Sequence, residues 1–287
     1  MLTRSLYRCP NMANQAQKLD FIVIKLGSST LTEAGQPNHA LIAGLCDDLH
    51  ALRLQNLSPV LVTSGAVQLG CSASTQDGGS ARTRAGRAAI GQIRLVAAFS
   101  EHLSRQDYRA AQILLKREDF ASPRTRTDIA EALRSISSSN GIALINENDV
   151  TSANSGFPSN DELGAALVEL LDAPMLVIFT DRPGVYDADP RTHPNARLFD
   201  TVGAFDERLL AAATDIPTST GTGGMRSKIL AARTAAAHGS TTVIARYDEP
   251  GKLLRIVQGE RQGTWIVPDS KVGGQFDIKN IQFEEEY

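Results

Sequence analysis

Short apolar runs alternate with longer segments of helical spacing along most of this chain. A run of about four to eight apolar residues bounded by turn residues is typical of a strand buried on both faces. Strands that alternate with helices in this way form a mostly parallel sheet covered by helices on both faces, so we predict an α/β fold. The predicted strands are 21–24, 59–63, 110–115, 142–145, 174–179, 241–245, 254–257 and 264–267. The predicted helices are 39–55, 88–105, 161–171, 225–238, one that begins at Thr127 or Asp128 and one that begins at Asp206.

The bulk composition is that of an ordinary globular protein with enough apolar residues for a large core. The 287 residues are 42% hydrophobic and 21% charged, and the formal net charge is −3. This charge balance gives no reason to expect a nucleic acid or an anionic membrane as a partner. No apolar run approaches the ~18 residues that a membrane span needs, so we expect no membrane segment.

The cysteines indicate the redox compartment of the protein, and the two ends of the chain are predicted to lie outside the folded domain. Cys9, Cys46 and Cys71 are isolated and odd in number, which argues against a disulfide framework or a cysteine-based zinc site. A reducing compartment is the better fit, and we expect the cytoplasm. Residues 1–19 are predicted to be a disordered leader, with a targeting segment or a true start at Met12 as alternatives, and 269–287 an acidic tail.

Glycine-containing or polar loops follow four of the predicted strands. In the first loop, Gly27 lets a ligand approach the backbone, Ser28 offers donors and Lys25 supplies a positive charge, which together indicate a phosphate site. The alternative is a strand with an exposed lysine at its end. Ligands bind beyond the carboxyl ends of strands in open α/β sheets, so these loops should share one edge. The four loops are 25–29, 63–66, 146–149 and 180–181.

A fifth loop, 220–224, is rich in glycine and leads into the predicted helix that carries Lys228. Backbone donors at a helix N-terminus bind anions, so this loop and Lys25 predict an anion cradle with a lysine at each end. Neither GxxxxGK[ST] nor GxGxxG occurs, which excludes the P-loop and Rossmann types of phosphate site. The Arg- and Gly-containing stretch 72–87 is predicted to be a solvated loop.

No histidine lies in a strand-end loop, so the sequence offers no histidine base for catalysis. A phosphoryl acceptor that is a carboxylate needs no base, because it is ionised far below pH 7. Positioning and charge neutralisation would then supply nearly all of the catalysis.

Six segments in this order resemble the amino acid kinase family and, within it, the glutamate 5-kinases: KLGSSTLT, VTSGAV, GQIRL, INENDV, TDRPGVYDADPR and GTGGMRSK. The resemblance covers about residues 21–267. It implies a three-layer α/β/α sandwich on a mostly parallel central sheet, with one kinase domain over 20–268. The acceptor is implied to bind to the part 20–172 and the nucleotide to the part 173–268. The implied reaction transfers the γ-phosphoryl group of ATP, with Mg²⁺, to the γ-carboxylate of glutamate, and its product opens proline biosynthesis.

The resemblance also implies roles for residues at matching positions. Lys25 and Lys228 would stabilise the transferring phosphoryl group, and Asp161 would organise them; Asp161 is also suited to a helix N-terminus. No protein ligand is implied for Mg²⁺, which would arrive with ATP. The implied substrate-binding residues are Ser64, Gly65, Asn146, Asp149 and Asn160. The implied nucleotide-binding residues are Gly27, Ser28, Thr180, Asp181, Tyr186, Asp189, Gly221, Thr222, Gly223, Gly224, Met225 and Lys228.

Two features depart from the family pattern. Where the family usually has Gly-Asp-Asn-Asp, this chain has Pro-Ser-Asn-Asp at 158–161, so an acid expected to receive the substrate's ammonium group is Ser159. Many glutamate 5-kinases also carry a C-terminal PUA module, and about 20 residues after Val267 are too few to form one.

The departure at Ser159 leaves alternatives to glutamate as the acceptor. One alternative is a kinase of a related, modified or peptide-linked glutamate, and another is a regulator that binds nucleotide or amino acid without turnover. The resemblance implies a homo-oligomer, and the lability of acyl phosphates makes a downstream reductase a plausible partner. The expected partners are therefore a small carboxylate and that reductase, with no nucleic acid and no membrane.

Overall fold

The computed structural model describes residues 20–72, 83–152, 156–214 and 224–272. Within these ranges the apolar runs form strands, most of which join one sheet. The strands are β1 (Asp20–Leu26), β2 (Thr32–Glu33), β3 (Gln36–Pro37), β4 (Leu57–Val62), β5 (Arg109–Leu115), β6 (Gly141–Glu147), β7 (Met175–Thr180), β8 (Thr201–Gly203), β9 (Thr241–Arg246) and β10 (Thr264–Val267).

The main sheet has eight strands in the order β5-β6-β4-β1-β7-β9-β10-β8, and β2 pairs separately with β3. All neighbours from β5 to β9 are parallel, whereas β10 runs antiparallel to β9 and pairs in parallel with β8. Because the parallel strands share one direction, the carboxyl ends of β1, β4, β6 and β7 lie at the same edge. The register places Lys25 beside Val62 of β4 and Ile178 of β7.

Helices cover both faces of this sheet. The helices α5, α6, α7 and α8 pack on one face, and α2, α3, α4 and α9 pack on the other. The helices are α1 (Ser28–Leu31), α2 (His39–Leu54), α3 (Ala66–Ser72), α4 (Arg84–Leu103), α5 (Pro123–Ser138), α6 (Asn160–Leu171), α7 (Glu207–Thr214), α8 (Met225–Ala237) and α9 (Lys252–Val257).

The central strand β1 shows why the sheet is buried on both sides. Phe21 and Val23 join the apolar core beneath α5 to α8, while Ile22, Ile24 and Leu26 join the core beneath the other helical layer. Side chains alternate along a strand, so a fully apolar run can fill two cores at once. The predicted α/β/α sandwich with a mostly parallel sheet is confirmed.

Some predicted elements differ from the structure. The prediction of a strand at 254–257 is wrong, because these residues form most of α9. The helix predicted to begin at Thr127 or Asp128 begins at Pro123, where Ser122 accepts a hydrogen bond from the amide of Thr125 (3.4 Å). Proline suits the first turn of a helix, where an N–H would have no partner.

Helix α9 receives its N-terminal cap from a residue far away in sequence. Its N-cap, Gly251, offers no side chain, and the buried carboxylate of Asp48 in α2 takes that role. Asp48 accepts hydrogen bonds from the amides of Gly251 (2.6 Å) and Leu253 (2.9 Å) and from the hydroxyl of Tyr247 (3.2 Å). The first turn of α9 is therefore tied to α2.

The predicted leader and most of the predicted acidic tail lie outside the described residues. No helix in the described part of the chain is both long and apolar enough to cross a membrane. Cys46 is buried and Cys71 is half-buried, and neither forms a disulfide among the described residues.

Candidate active site

The carboxyl edge of the sheet opens into a cleft with a volume of about 1220 Å³. It is lined by residues that follow β1, β4, β6 and β7 and by the first turns of α6 and α8. This is where the sequence placed its strand-end loops. The predicted site residues that line the cleft are Lys25, Gly27, Ser28, Ser64, Gly65, Asn146, Asp149, Asn160, Thr180, Asp181, Tyr186, Gly224, Met225 and Lys228.

A buried cluster of two lysines and one aspartate lies at the cleft. Lys25 comes from the end of β1, Asp161 from the first turn of α6 and Lys228 from the first turn of α8. Lys25 Nζ lies 2.7 Å from Asp161 Oδ1, and Lys228 Nζ lies 3.1 Å from Asp161 Oδ2. Ser227 Oγ donates to Asp161 Oδ2 at 2.7 Å. The structure thus brings together the three residues predicted to be catalytic.

Burial sets the electrostatics of this cluster. Asp161 is fully buried, which by itself would raise its pKa, yet the charges of Lys25 and Lys228 and the hydrogen bonds hold that pKa at about 2. Burial lowers the pKa of Lys25, and Asp161 opposes that change. One carboxylate faces two ammonium groups, so the cluster carries a surplus positive charge when both lysines are protonated.

A network of amide side chains forms the neighbouring wall of the cleft. The Asn160 amide donates to Thr63 O (2.8 Å), Ser64 Oγ (3.0 Å) and Asn146 Oδ1 (2.9 Å). Asn146 is buried and donates to Gln92 Oε1 of α4 (2.9 Å). Three predicted substrate-binding residues therefore hold one another in place. The sequence analysis did not select Gln92, although the GQIRL segment that contains it was one of the recognised signals.

Acidic and basic groups surround this wall. Asp149, also predicted to bind substrate, accepts from Arg84 Nη2 of α4 (3.2 Å). Glu147 lies in the predicted strand-end loop 146–149 but was given no role of its own; it lines the cleft and accepts a hydrogen bond from the Phe157 amide (2.7 Å). Burial raises the pKa of Glu147. Its position as the last residue of β6 was the signal that could have identified it.

The structure gives Ser159 a local role. Ser159 is buried at the N-cap of α6, and its hydroxyl accepts a hydrogen bond from the amide of Glu162 (3.4 Å). Ser and Asp are both good N-caps, so the serine keeps the helix start and removes only the negative charge. That charge is the one that an ammonium group in the cleft would meet.

Two glycines at the cleft differ in what requires them. Gly65 has φ +96°, and a Cβ there would lie 2.8 Å from Thr32 Cγ2, so the fold itself demands glycine. Gly27 has φ −68°, and a Cβ would approach no protein atom closer than 3.5 Å. The protein's own packing therefore does not explain Gly27, whereas close approach of a ligand would.

The opposite wall carries most of the predicted nucleotide-binding residues. Thr180 Oγ1 donates to Asp181 Oδ1 (3.0 Å), and Arg246 Nε donates to Asp181 O (2.9 Å). Helix α8 begins at Met225, and its N-cap, Gly224, has no side chain that could bind the first amides. Gly221, Thr222 and Gly223 lie outside the described residues.

Asp189 is the one predicted nucleotide-binding residue in the described part of the chain that does not line the cleft. Its carboxylate is buried and binds Arg191 Nη2 (2.7 Å), and these hydrogen bonds hold its pKa at about 2. Arg191 and Arg182 do line the cleft, and the sequence analysis had selected neither. Asp189 thus acts on the cleft through the position of Arg191.

Comparison with known proteins decides the family. The pattern of the amino acid kinase family matches residues 20–246. This chain belongs to that family. The kinase chain is 39% identical over 253 residues to glutamate 5-kinase from Chromohalobacter salexigens, covering 86% of this chain and 66% of the relative. It is 40% identical over 253 residues to glutamate 5-kinase from Chromobacterium violaceum, covering 86% of this chain and 68% of the relative.

The amino acid kinase chain spans about two thirds of the length of these curated relatives. Solved structures support the fold. Carbamate kinase from Giardia lamblia bound to AMP-PNP matches with a TM-score of 0.62 at 16% identity, over 88% of this chain and 99% of that chain. UMP kinase from Bacillus anthracis matches with a TM-score of 0.60 at 16% identity, over 88% of this chain and 98% of that chain.

The cleft of this amino acid kinase is suited to anionic ligands. No histidine lines it among the described residues, and its buried cations are Lys25 and Lys228. The carboxylate of Asp161 is fully engaged by the lysines and Ser227, so it is not available as a metal ligand. The arrangement can therefore hold and neutralise phosphate and carboxylate groups but offers no imidazole for proton transfer.

Proposed function

We propose that this chain is an ATP-dependent kinase of the γ-carboxylate of L-glutamate, forming glutamyl 5-phosphate and ADP. The observation that carries the proposal is the buried cluster of Lys25, Asp161 and Lys228, which joins the two walls of the cleft. The names of the curated relatives give the same activity for those proteins.

The two walls have different chemistry, which supports one ligand on each. The part 20–172 supplies Ser64, Asn146, Asp149 and Asn160, whose amides, hydroxyl and carboxylate suit an amino acid. The part 173–268 supplies the start of α8 behind the N-cap Gly224, where backbone amides and the positive end of the helix dipole suit phosphates. A volume of about 1220 Å³ exceeds that of ordinary single-ligand pockets, roughly 300–1,000 Å³, and leaves room for both.

The proposed chemistry needs positioning and charge more than proton transfer. A γ-carboxylate oxygen forms a bond to the γ-phosphorus of ATP, while the bond from that phosphorus to the β–γ bridging oxygen breaks and its electron pair leaves with ADP. The acceptor is already ionised at pH 7, so no base is required. Lys25 and Lys228 offset the negative charge on the transferring group, and Asp161 fixes the spacing between their ammonium groups.

Mg²⁺ would enter this site with the phosphates of ATP, where it neutralises phosphate oxygens. The carboxylates available at the cleft wall are Glu147, Asp149 and Asp181, since Asp161 is held by the lysines. These few acids fit a metal held mainly by the nucleotide, and we assign no protein ligand to it.

The test is glutamate-dependent ADP release with ATP and Mg²⁺, with hydroxylamine to trap the acyl phosphate. Lys228→Met should lower turnover by at least a hundredfold, because it removes a charge that faces the transferring group. Lys116→Met is the control, because Lys116 does not line the cleft and its ammonium group pairs with the exposed Glu118 (3.4 Å). Equal turnover by the two variants would refute the role of Lys228.

A second acceptor class is favoured by Ser159 and Arg84. Ser159 lacks the charge that would receive an ammonium group, and Arg84 already pairs with Asp149. An acceptor without a free ammonium, such as an N-acylated or peptide-linked glutamate, would suit this wall. The experiment compares kcat/KM for glutamate, for N-acetylglutamate and for a dipeptide whose glutamate is linked through its amino group and keeps a free γ-carboxylate. A clear preference for free glutamate eliminates this class. Nucleotide binding without turnover of any carboxylate would instead support a regulatory protein.

The proposed setting is the cytoplasm, at the start of proline biosynthesis, with the chain acting as a homo-oligomer. Its product is an acyl phosphate, and such compounds hydrolyse readily in water. A reductase that consumes the product directly is therefore the partner we propose. A pull-down of the reductase with this chain as bait, in the presence of ATP and glutamate, would be run with and without hydroxylamine. The comparison would test whether capture depends on the acyl phosphate product.

A further inference from the structure

Two histidines and a glutamate meet on the side of the molecule away from the cleft. His39 is the first residue of α2, and Glu101 and His102 lie in the last turn of α4. Glu101 is 17 residues along α4 from Arg84, which corresponds to roughly 25 Å of helix. The group is therefore separate from the proposed active site.

The ligand atoms of these three side chains all lie within 4.8 Å of one another. His39 Nδ1 is 3.3 Å from His102 Nε2, and His39 Nδ1 is 3.9 Å from Glu101 Oε2. His102 is buried, whereas the side chains of His39 and Glu101 are about half exposed. One ligand is thus rigidly held, and the other two border solvent.

We propose that His39, Glu101 and His102 bind a divalent first-row transition metal, with Zn²⁺ as the best fit, and that the ion ties α2 to α4. Imidazole and carboxylate ligands suit Zn²⁺, and three protein ligands with an open fourth position form a well-known type of zinc site. Mg²⁺ and Ca²⁺ fit this site poorly, because they prefer oxygen ligands and two of the three ligands here are imidazole nitrogens.

The spacing of the two nitrogens matches this ion. Two ligands at 2.0–2.1 Å from a tetrahedral centre are separated by roughly 3.3 Å, which is the separation of His39 Nδ1 and His102 Nε2. Glu101 Oε2 is 3.9 Å from His39 Nδ1, and the carboxylate lies within 4.8 Å of the His102 nitrogen, so the oxygen needs to move by at most about 1.5 Å to reach this spacing from both nitrogens. The side chain of Glu101 is exposed enough to make that movement. No rearrangement of either helix is required.

A hydrogen bond from Arg105 orients the carboxylate of Glu101. Arg105 Nη2 lies 2.8 Å from Glu101 Oε1, which leaves Oε2 directed toward His39. Hydrogen bonds from neighbouring groups to the far oxygen of a ligand are the usual way in which proteins orient metal-binding carboxylates. Solvent can supply the fourth ligand, because both outer side chains border water.

The experiment measures Zn²⁺ bound to the untagged full chain by equilibrium dialysis after treatment with chelator. The wild type should bind one equivalent, and His39→Ala should weaken binding at least tenfold. The matched control is His238→Ala, because His238 pairs with Glu169 (3.4 Å) in a similar exposed His–Glu arrangement but has no second histidine in its group. Binding by that control should equal wild type.

Two further readouts distinguish this site from unspecific binding. Co²⁺ should give the visible absorption of a tetrahedral ion in the wild type and not in His39→Ala. A hundredfold excess of Zn²⁺ over its Kd should raise Tm by roughly 5 °C in the wild type only. Glutamate-dependent turnover should be unchanged in His39→Ala, so a failed kinase assay and a failed metal assay are separate results.

Zn²⁺ binding that is equal in wild type and His39→Ala would overturn the proposal, because the ion would then lie elsewhere, for example at Cys71. Failure of the chelator-treated wild type to bind one equivalent of Zn²⁺ in the equilibrium dialysis would also overturn it. The contact between His39 and His102 would then be a plain hydrogen bond between imidazoles.

Discussion

Replacing Asp161 by Asn tests whether the buried lysine cluster is organised by one charge. The charges of Lys25 and Lys228 hold the pKa of Asp161 at about 2, below its ordinary value of 3.8, which favours the native state by a free energy of roughly 2 to 3 kcal/mol. Asn would also remove the carboxylate that Lys25 and Lys228, each only 5% exposed, share. Removing one partner of a buried ion pair costs about 3–5 kcal/mol, and we expect a loss of stability in that range at pH 7.

The stability of Asp161→Asn should depend on pH in a definite direction. The pKa of Lys25 is already lowered by burial, and loss of Asp161 lowers it further. The unfolded chain then binds more protons than the native one at pH values below 10.5, the ordinary pKa of lysine, so the stability of Asp161→Asn rises and its deficit shrinks as the pH rises toward that value. In the wild type, the contribution of Asp161 is complete above its unfolded pKa of 3.8 and is lost as the pH falls through about 2.

Urea unfolding followed by the fluorescence of the single tryptophan, Trp265, measures these changes because its side chain is fully buried. The control is Asp128→Asn, an exposed residue of α5 whose replacement should change stability by less than about 0.5 kcal/mol. Glutamate-dependent turnover of Asp161→Asn should fall at least a hundredfold. Stability within about 0.5 kcal/mol of wild type at pH 7, or a deficit that does not vary with pH, would refute the reasoning.

Three other substitutions test the cleft. Gly27→Ala should leave Tm unchanged, because its Cβ meets no protein atom within 3.5 Å, yet raise the KM for ATP about tenfold; an unchanged KM would mean that no ligand approaches there. Ser159→Asp keeps the cap of α6 and should lower the KM for glutamate about tenfold by restoring an acid near the ammonium group. Arg84→Ala removes an exposed partner of Asp149, so stability should change by less than about 1 kcal/mol while the KM for the acceptor rises about tenfold. A lower KM would show instead that Arg84 obstructs Asp149.

The sequence correctly predicted several strands and helix ends that are determined by residues close together in the chain. The apolar run of β1 and the glycine after it define a buried strand and a loop whatever the rest of the chain does. The helix start at Met225 after a glycine follows the same logic. The rule that ligands bind at the carboxyl edge of the sheet placed Lys25 and Lys228 at one anion site. The addition of Asp161 to that site required the family resemblance, because nothing local brings α6 to the two lysines.

Residues that act through tertiary contacts were missed for the same reason. Gln92 is a polar residue on an amphipathic helix, and only the packing of α4 places its side chain against Asn146. Arg191 binds the carboxylate of Asp189, two residues earlier, but its position at the cleft depends on where the loop that holds both residues packs. Spacing along the chain carries no information about either placement.

The segment 254–257 shows a conflict between local pattern and tertiary structure. Four residues, three of them apolar, fit a short strand as well as one helical turn, and length alone does not decide between them. Asp48 decides, because its carboxylate binds the free amides at the start of α9. The secondary structure of this segment is therefore fixed by a residue of another helix.

That remote cap has a consequence for how the chain is made and how it can be divided. During synthesis Asp48 leaves the ribosome long before Gly251, so α2 can already be in place when α9 forms, and α9 is expected to be among the last elements to become protected from amide exchange. A fragment that begins after residue 172 would contain the proposed nucleotide wall but not the carboxylate that starts its last helix. We therefore expect the parts 20–172 and 173–268 to unfold together, so that neither could be exchanged as a separate module without loss of this cap.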